Sequence, residues 1–112
     1  MSPARPRPAA RFTRDALADL TRAVAWIARE DPTAADRLRL AANRAAQSIG
    51  AHPRIGAVHL ELAPERFRFL VLRTWPYLIV YEPDTQPPRI LRVVHGAQDL
   101  AVLLTDLPQA GD

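Results

Sequence analysis

The 34 residues from Arg66 to Asp99, RFRFLVLRTWPYLIVYEPDTQPPRILRVVHGAQD, constrain this chain more than any other stretch. Three apolar runs lie here: Arg66 to about Arg73, Tyr77 to Glu82, and Arg89 to His95. Breakers separate them. Thr74-Trp75-Pro76 divides the first pair and Asp84 to Pro88 the second, because proline has no N–H to give a strand ladder. Connections this short leave no room for a crossover, so the runs predict an antiparallel meander. LIVY is apolar at every position, as expected of a central strand covered on both faces. In the first strand Arg66 and Arg68 share a face with Leu70 and Leu72, opposite Phe67, Phe69 and Val71. The spacing therefore predicts one helix-covered sheet face and one open face of mixed apolar and arginine character.

Upstream, Ala9 to Thr13 is a candidate short first strand, and Thr13 a helix N-cap with Asp15 in the first turn. A first helix is expected to about Glu30, with Leu17, Leu20, Val24 and Ile27 as its apolar stripe. Trp26 falls opposite that stripe and is expected to pack against the next helix, or otherwise to be exposed for a partner. Asp31-Pro32 is a start signal, with Asp as N-cap and Pro at the first helical position. The second helix then carries Ala35, Leu38, Ala42, Ala45 and Ile49 on one side, ending at Gly50 as the residue after the helix. The linker permits only an antiparallel hairpin. Residues 50–65 read as an irregular connection in which Val58 to Leu62 is a weak strand candidate. Asp99 to Asp106 reads as a short final helix, with Leu100, Leu103 and Leu104 packing back.

At 112 residues the chain is expected to be one domain. We divide it into a basic proline-rich tail (1–8), a folded domain (9–106) and a C-terminal tail (107–112). All 15 basic residues are arginine, and four of them (Arg5, Arg7, Arg11, Arg14) fall in the first 14 residues, where there is no acid. The remaining eleven face twelve acids, so the body is nearly neutral and the positive charge sits in the tail. Such a tail is expected to be disordered, and it suits electrostatic contact with nucleic acid. There is no cysteine, no apolar run of membrane-spanning length and no apolar core to an N-terminal signal. A cytoplasmic protein without membrane association is the expectation.

No phosphate-binding glycine loop, metal-ligand cluster or nucleophile elbow is present in the sequence, and no cofactor or metal is expected. His52 and His59 are scattered. His95 ends a strand at a glycine, a position from which a general acid or base can work. Arg66, Arg68, Arg73 and Arg92 can offer cations from neighbouring strands to a partner, with Tyr81 and His95 as further candidate contacts.

The order β-α-α-β-β-β, with HPRIG after the helical hairpin, then RFRFLVLR, PYLIVY and RILRVVHGAQDL, resembles the RelE/ParE superfamily of type II toxin–antitoxin toxins over about residues 9–105. The resemblance implies an α+β fold in which an antiparallel sheet packs on an N-terminal helical hairpin. It also implies a cognate antitoxin whose disordered segment folds into the groove between hairpin and sheet, in a heterotetramer or larger assembly. Two mechanisms divide the family: ParE-like toxins poison DNA gyrase, and RelE-like toxins cleave messenger RNA in the ribosome. At positions where the cleavers carry lysines, an arginine and C-terminal arginine and tyrosine, this chain aligns Phe69 and Val71, Leu78, and Ala97 or Gln98 with Leu103. Apolar groups supply neither proton transfer nor charge stabilisation. The resemblance thus favours a gyrase poison acting by contact, through Arg68, Arg73, Arg92 and the segment from His95. The alternative is a ribonuclease with a rearranged site of Arg68, Arg92 and His95. A third expectation, outside the family, is a small nucleic-acid-binding domain led by the basic tail.

Overall fold

The computed structural model describes residues 7–96. In chain order the elements are β1 (Arg11–Phe12), α1 (Arg14–Ala28), α2 (Pro32–Ala51), β2 (Arg68–Val71), β3 (Tyr77–Glu82) and β4 (Arg89–His95). The four strands form one sheet in the order β1-β4-β3-β2. The meander β2-β3-β4 is antiparallel throughout, whereas β1 joins β4 in parallel, with Arg11 beside Arg89 and Phe12 beside Ile90. This α+β arrangement is the expected one. The parallel placement of β1 follows from the hairpin, which carries the chain back over the sheet before the meander begins.

Both caps form where the sequence places them. Thr13 Oγ1 accepts from the Ala16 N–H (3.2 Å) and donates to the Leu91 carbonyl (3.1 Å), so one hydroxyl starts α1 and ties it to β4. Asp31 accepts from the Ala34 N–H at 3.0 Å, with Pro32 entering α2. The expected stripe of α2, Ala35, Leu38, Ala42, Ala45 and Ile49, is wholly buried. In α1, Leu20 and Val24 are buried with Ala16 and Ala23, but Leu17 is half exposed.

Gly50 is not the residue after α2; it lies within the helix. There it makes room for the N-terminal arm. A Cβ at this position would fall 2.0 Å from the Pro8 carbonyl oxygen and 2.8 Å from Ala9 Cα. The arm is held alongside by the Ala10 N–H donating to the Ala46 carbonyl at 2.9 Å.

Two apolar clusters sandwich the sheet. Leu38, Ile49, Ile79, Tyr81 and Ile90 join the helices on one side. On the other, Phe67 and Ala63 cover Phe69, Val80, Leu91 and Val94. The second face is therefore not the open arginine-bearing surface expected from the alternation: residues 57–67 fold back over it. That connection adds no strand. Ala57 alone pairs with Phe69, through two backbone hydrogen bonds of 2.9 and 2.8 Å. β2 is also shorter than the apolar run suggested. The final helix expected over Asp99 to Asp106 lies outside the described residues.

Candidate functional site

The candidate residues do not converge. Arg68, in β2, donates through Nη1 to the carbonyls of Gly56 (2.7 Å) and Arg54 (3.3 Å). It clasps the turn that follows α2. Arg66 sets its guanidinium over the Phe67 ring at 4.7 Å, and Arg73 is exposed beyond the end of β2. Arg92 lies two strands away from Arg68, in β4, and is bound to α1.

The Arg92 contact depends on a register irregularity. Val80 faces Arg92 while Tyr81 faces Ile90, so Leu91 is an extra residue in β4. Beyond it, Arg92 reaches Asp19 with Nε at 2.7 Å from Oδ2 and Nη2 at 3.0 Å from Oδ1. Asp19 Oδ2 also accepts from the Val93 N–H at 3.0 Å, and Oδ1 from Arg22 at 2.6 Å. Asp19 is the buried acid of the described residues, 7% exposed in the middle of α1. Sequence reasoning missed it. The signal was there: Ala16, Asp19, Leu20 and Ala23 follow the i, i+3, i+4, i+7 spacing of the buried stripe, so an acid on that face needs a partner.

Tyr81, a partner-binding candidate, lies inside the fold. Its side chain is fully buried. The hydroxyl donates to the Pro53 carbonyl at 2.7 Å and accepts from the Gly56 N–H at 2.8 Å. Burial pushes the phenol above its usual value of 10.0, against the smaller opposing influence of the Gly56 N–H and the nearby arginines. Gly56 is required there, since a Cβ would lie 2.7 Å from the Tyr81 ring. The guanidinium of Arg92, another candidate, is engaged by Asp19, with its side chain 20% exposed.

His95 ends β4 with its ring edge-on to Tyr77, centroids 5.7 Å apart. Together they line a recess of about 450 Å³ with Asp19, Arg22, Ala23, Trp26 and Val93. Trp26 was expected between the helices. It is instead 67% exposed at the rim of this recess, with the Arg29 guanidinium 5.0 Å from its ring centroid. Core side chains pack between the hairpin and the sheet, and this recess lies at one end of that seam. Of the other histidines, His52 is exposed and His59 pairs with Glu61 at 3.0 Å. The backbone and His59 hold the Glu61 carboxyl below its usual value. Among the described residues no three acids or histidines gather as a metal site. No helix there is long and apolar enough to cross a membrane.

The family model "ParE toxin of type II toxin-antitoxin system, parDE" matches residues 10–100 of the 112. The chain belongs to the ParE toxin family. No curated protein matches the sequence at a significant level. Among solved structures, the chromosomal ParDE toxin–antitoxin system of P. aeruginosa is similar at 21% identity and a TM-score of 0.67. That match covers 81% of this chain and 98% of the other. It shows that this ParE-family chain has the fold of that protein, and 98% coverage means that the matched element set is nearly the whole of the smaller chain.

Proposed function

We propose that this toxin arrests growth by binding and poisoning DNA gyrase, acting by contact and not by catalysis, and that a cognate antitoxin neutralises it. The observation that carries the proposal is the chemistry at the sheet positions where messenger-RNA cleavers of the superfamily hold their cations. Phe69 is buried beneath residues 57–67, Leu78 packs against the same cluster, and Val71 is exposed but apolar. The two arginines from which a rearranged ribonuclease site would be built are engaged elsewhere. Arg92 holds Asp19, and Arg68 holds the carbonyls of residues 54 and 56. Stabilising a phosphorane charge requires cations already aimed at it, and removing one such donor typically costs about a hundredfold or more in rate.

The test is a pair of assays on one preparation. Purified toxin is titrated into gyrase supercoiling and DNA-cleavage reactions, and in parallel into translating ribosomes with a defined transcript. Loss of supercoiling with accumulated DNA breaks and an intact transcript is the expected result. His95→Ala leaves the ribosome assay unchanged. Codon-phased cleavage at concentrations that leave supercoiling untouched overturns the proposal, and loss of that cleavage in His95→Ala would name the acid or base.

A further inference from the structure

We infer that the ridge formed by the arm ahead of β1, β1 itself and the loop between β3 and β4 is a contact surface for the phosphate backbone of duplex DNA. Duplex DNA as the occupant rests on the gyrase proposal, because gyrase holds DNA; the charge and shape of the ridge do not.

The charge is unbalanced where the strands meet. Arg11, Arg89 and Glu82 lie side by side across β1, β4 and β3. Residues in register on adjacent strands point to the same face, about 4.8 Å apart. One acid therefore serves two arginines. Glu82 takes Arg89 at 2.6 Å, and among the described residues no acid pairs with Arg11. Like charges facing each other across a ladder are destabilising, and an anion held between them removes that cost.

The arginines stand on a fixed frame. The Arg11 N–H donates to the Pro88 carbonyl at 2.8 Å and the Ala10 N–H to the Ala46 carbonyl at 2.9 Å, so the arm is pinned to both the loop and α2. The loop is held as well. Thr85 Oγ1 donates to the Pro87 carbonyl at 2.9 Å, and Arg54 takes Asp84 at 2.8 Å. Two recesses flank this loop: Arg11 and Arg89 edge one of about 310 Å³, and Arg7 edges the other, of about 610 Å³. The exposed Gln86 lines both.

Spacing and polarity select a polyanion. Arg7 and Arg11 are four residues apart on the arm, up to about 14 Å when extended. Arg14, exposed at the start of α1, continues the series. One phosphate cannot span such a row, whereas the repeated charges of a nucleic-acid strand can. The large apolar residues exposed among those described are Leu17, Trp26, Leu40, Ile55, Leu60 and Val71, and none lies in this ridge. A protein partner would need an apolar centre to bury here, and a phosphate backbone needs none.

The full-length toxin is titrated into a fluorescein-labelled duplex without gyrase, and anisotropy is read across a salt series. Three backbone contacts give a slope of about −2.7 in log K against log salt, roughly a fortyfold loss between 50 and 200 mM. Arg7→Gln/Arg11→Gln is expected to weaken binding by about tenfold or more at low salt and to flatten the slope by about 2. Glu82→Gln loosens the hold on Arg89 and is expected to tighten binding. Asp36→Asn, an equal change of net charge on the exposed side of α2, is expected to leave binding unchanged. An unaltered slope in the double arginine variant overturns the inference. So does equal tightening by Glu82→Gln and Asp36→Asn, which would make the attraction one of net charge alone. Binding confined to single-stranded RNA overturns it, as does displacement of the duplex by inorganic phosphate beyond that by chloride at equal ionic strength. With gyrase absent, failure here leaves the supercoiling result standing, and failure of the supercoiling assay leaves this binding to be read on its own.

Discussion

Asp19 and Arg92, 73 residues apart, form a two-point ion pair that binds the middle of α1 to β4. The carboxylate is 5% exposed and also receives the Val93 N–H, so three backbone or guanidinium donors from β4 converge on one acid. A charge taken this far out of water stays only while it is paired.

Removing one partner is therefore expected to cost more than removing both. Asp19→Ala removes the carboxylate on which Arg92, Arg22 and the Val93 N–H converge and is expected to lower unfolding free energy by about 3–5 kcal/mol. Arg92→Ala costs less, because Arg22 and the Val93 N–H still serve Asp19. The double variant Asp19→Ala/Arg92→Ala is expected to be more stable than the sum of the two losses, read by urea denaturation in a double-mutant cycle.

Tyr81 gives a pH dependence with a definite sign. Its phenol is raised above 10.0 by burial in the folded state, while the unfolded chain titrates near the ordinary value. The folded state thus holds the proton more tightly. The stabilisation is complete below pH 10 and is lost as pH climbs through the folded value. Tyr81→Phe leaves the Gly56 N–H and Pro53 carbonyl without their partner, and is expected to cost about 1–3 kcal/mol at neutral pH. The same variant should show a flatter loss of stability above pH 10, measured by denaturation across an alkaline pH series.

Gly50 sets two effects against each other. Alanine in a helix interior is favoured over glycine by about 1 kcal/mol. Its Cβ, however, would meet the Pro8 carbonyl oxygen at 2.0 Å. Gly50→Ala is expected to release the arm from α2 while leaving the helix intact. Faster proteolytic trimming ahead of Phe12, with undiminished helical circular dichroism, is the measurement that checks it.

Thr74 stands at φ 68° in the turn between β2 and β3. A β-branched residue crowds the backbone in this left-handed region, at a cost of roughly 1–2 kcal/mol. Thr74→Gly or Thr74→Asn is expected to recover about 1 kcal/mol, visible as a melting temperature higher by a few degrees.

The sequence by itself determined the elements and their inward faces. Proline positions 76, 83, 87 and 88 divide the meander, Thr13 and Asp31-Pro32 start the helices, and Ile79, Val80 and Tyr81 are all buried, as an unbroken apolar run demands. These are local signals: a missing N–H, a capping side chain, a period of two or 3.6. The tertiary structure alone decided which partners the interior polar groups take. Helical spacing sets Asp19 apart from the exposed Asp15 without naming its partner, and nothing adjacent in sequence told the clasped Arg68 from the exposed Arg73. Their partners lie in other elements, and the Arg92 contact follows a one-residue register shift that no periodicity records. It also covered the second sheet face with residues 57–67 and left Trp26 at the rim of a recess. Both depend on how a segment without its own periodicity folds over the sheet, and that is settled by the area it can bury once the sheet exists.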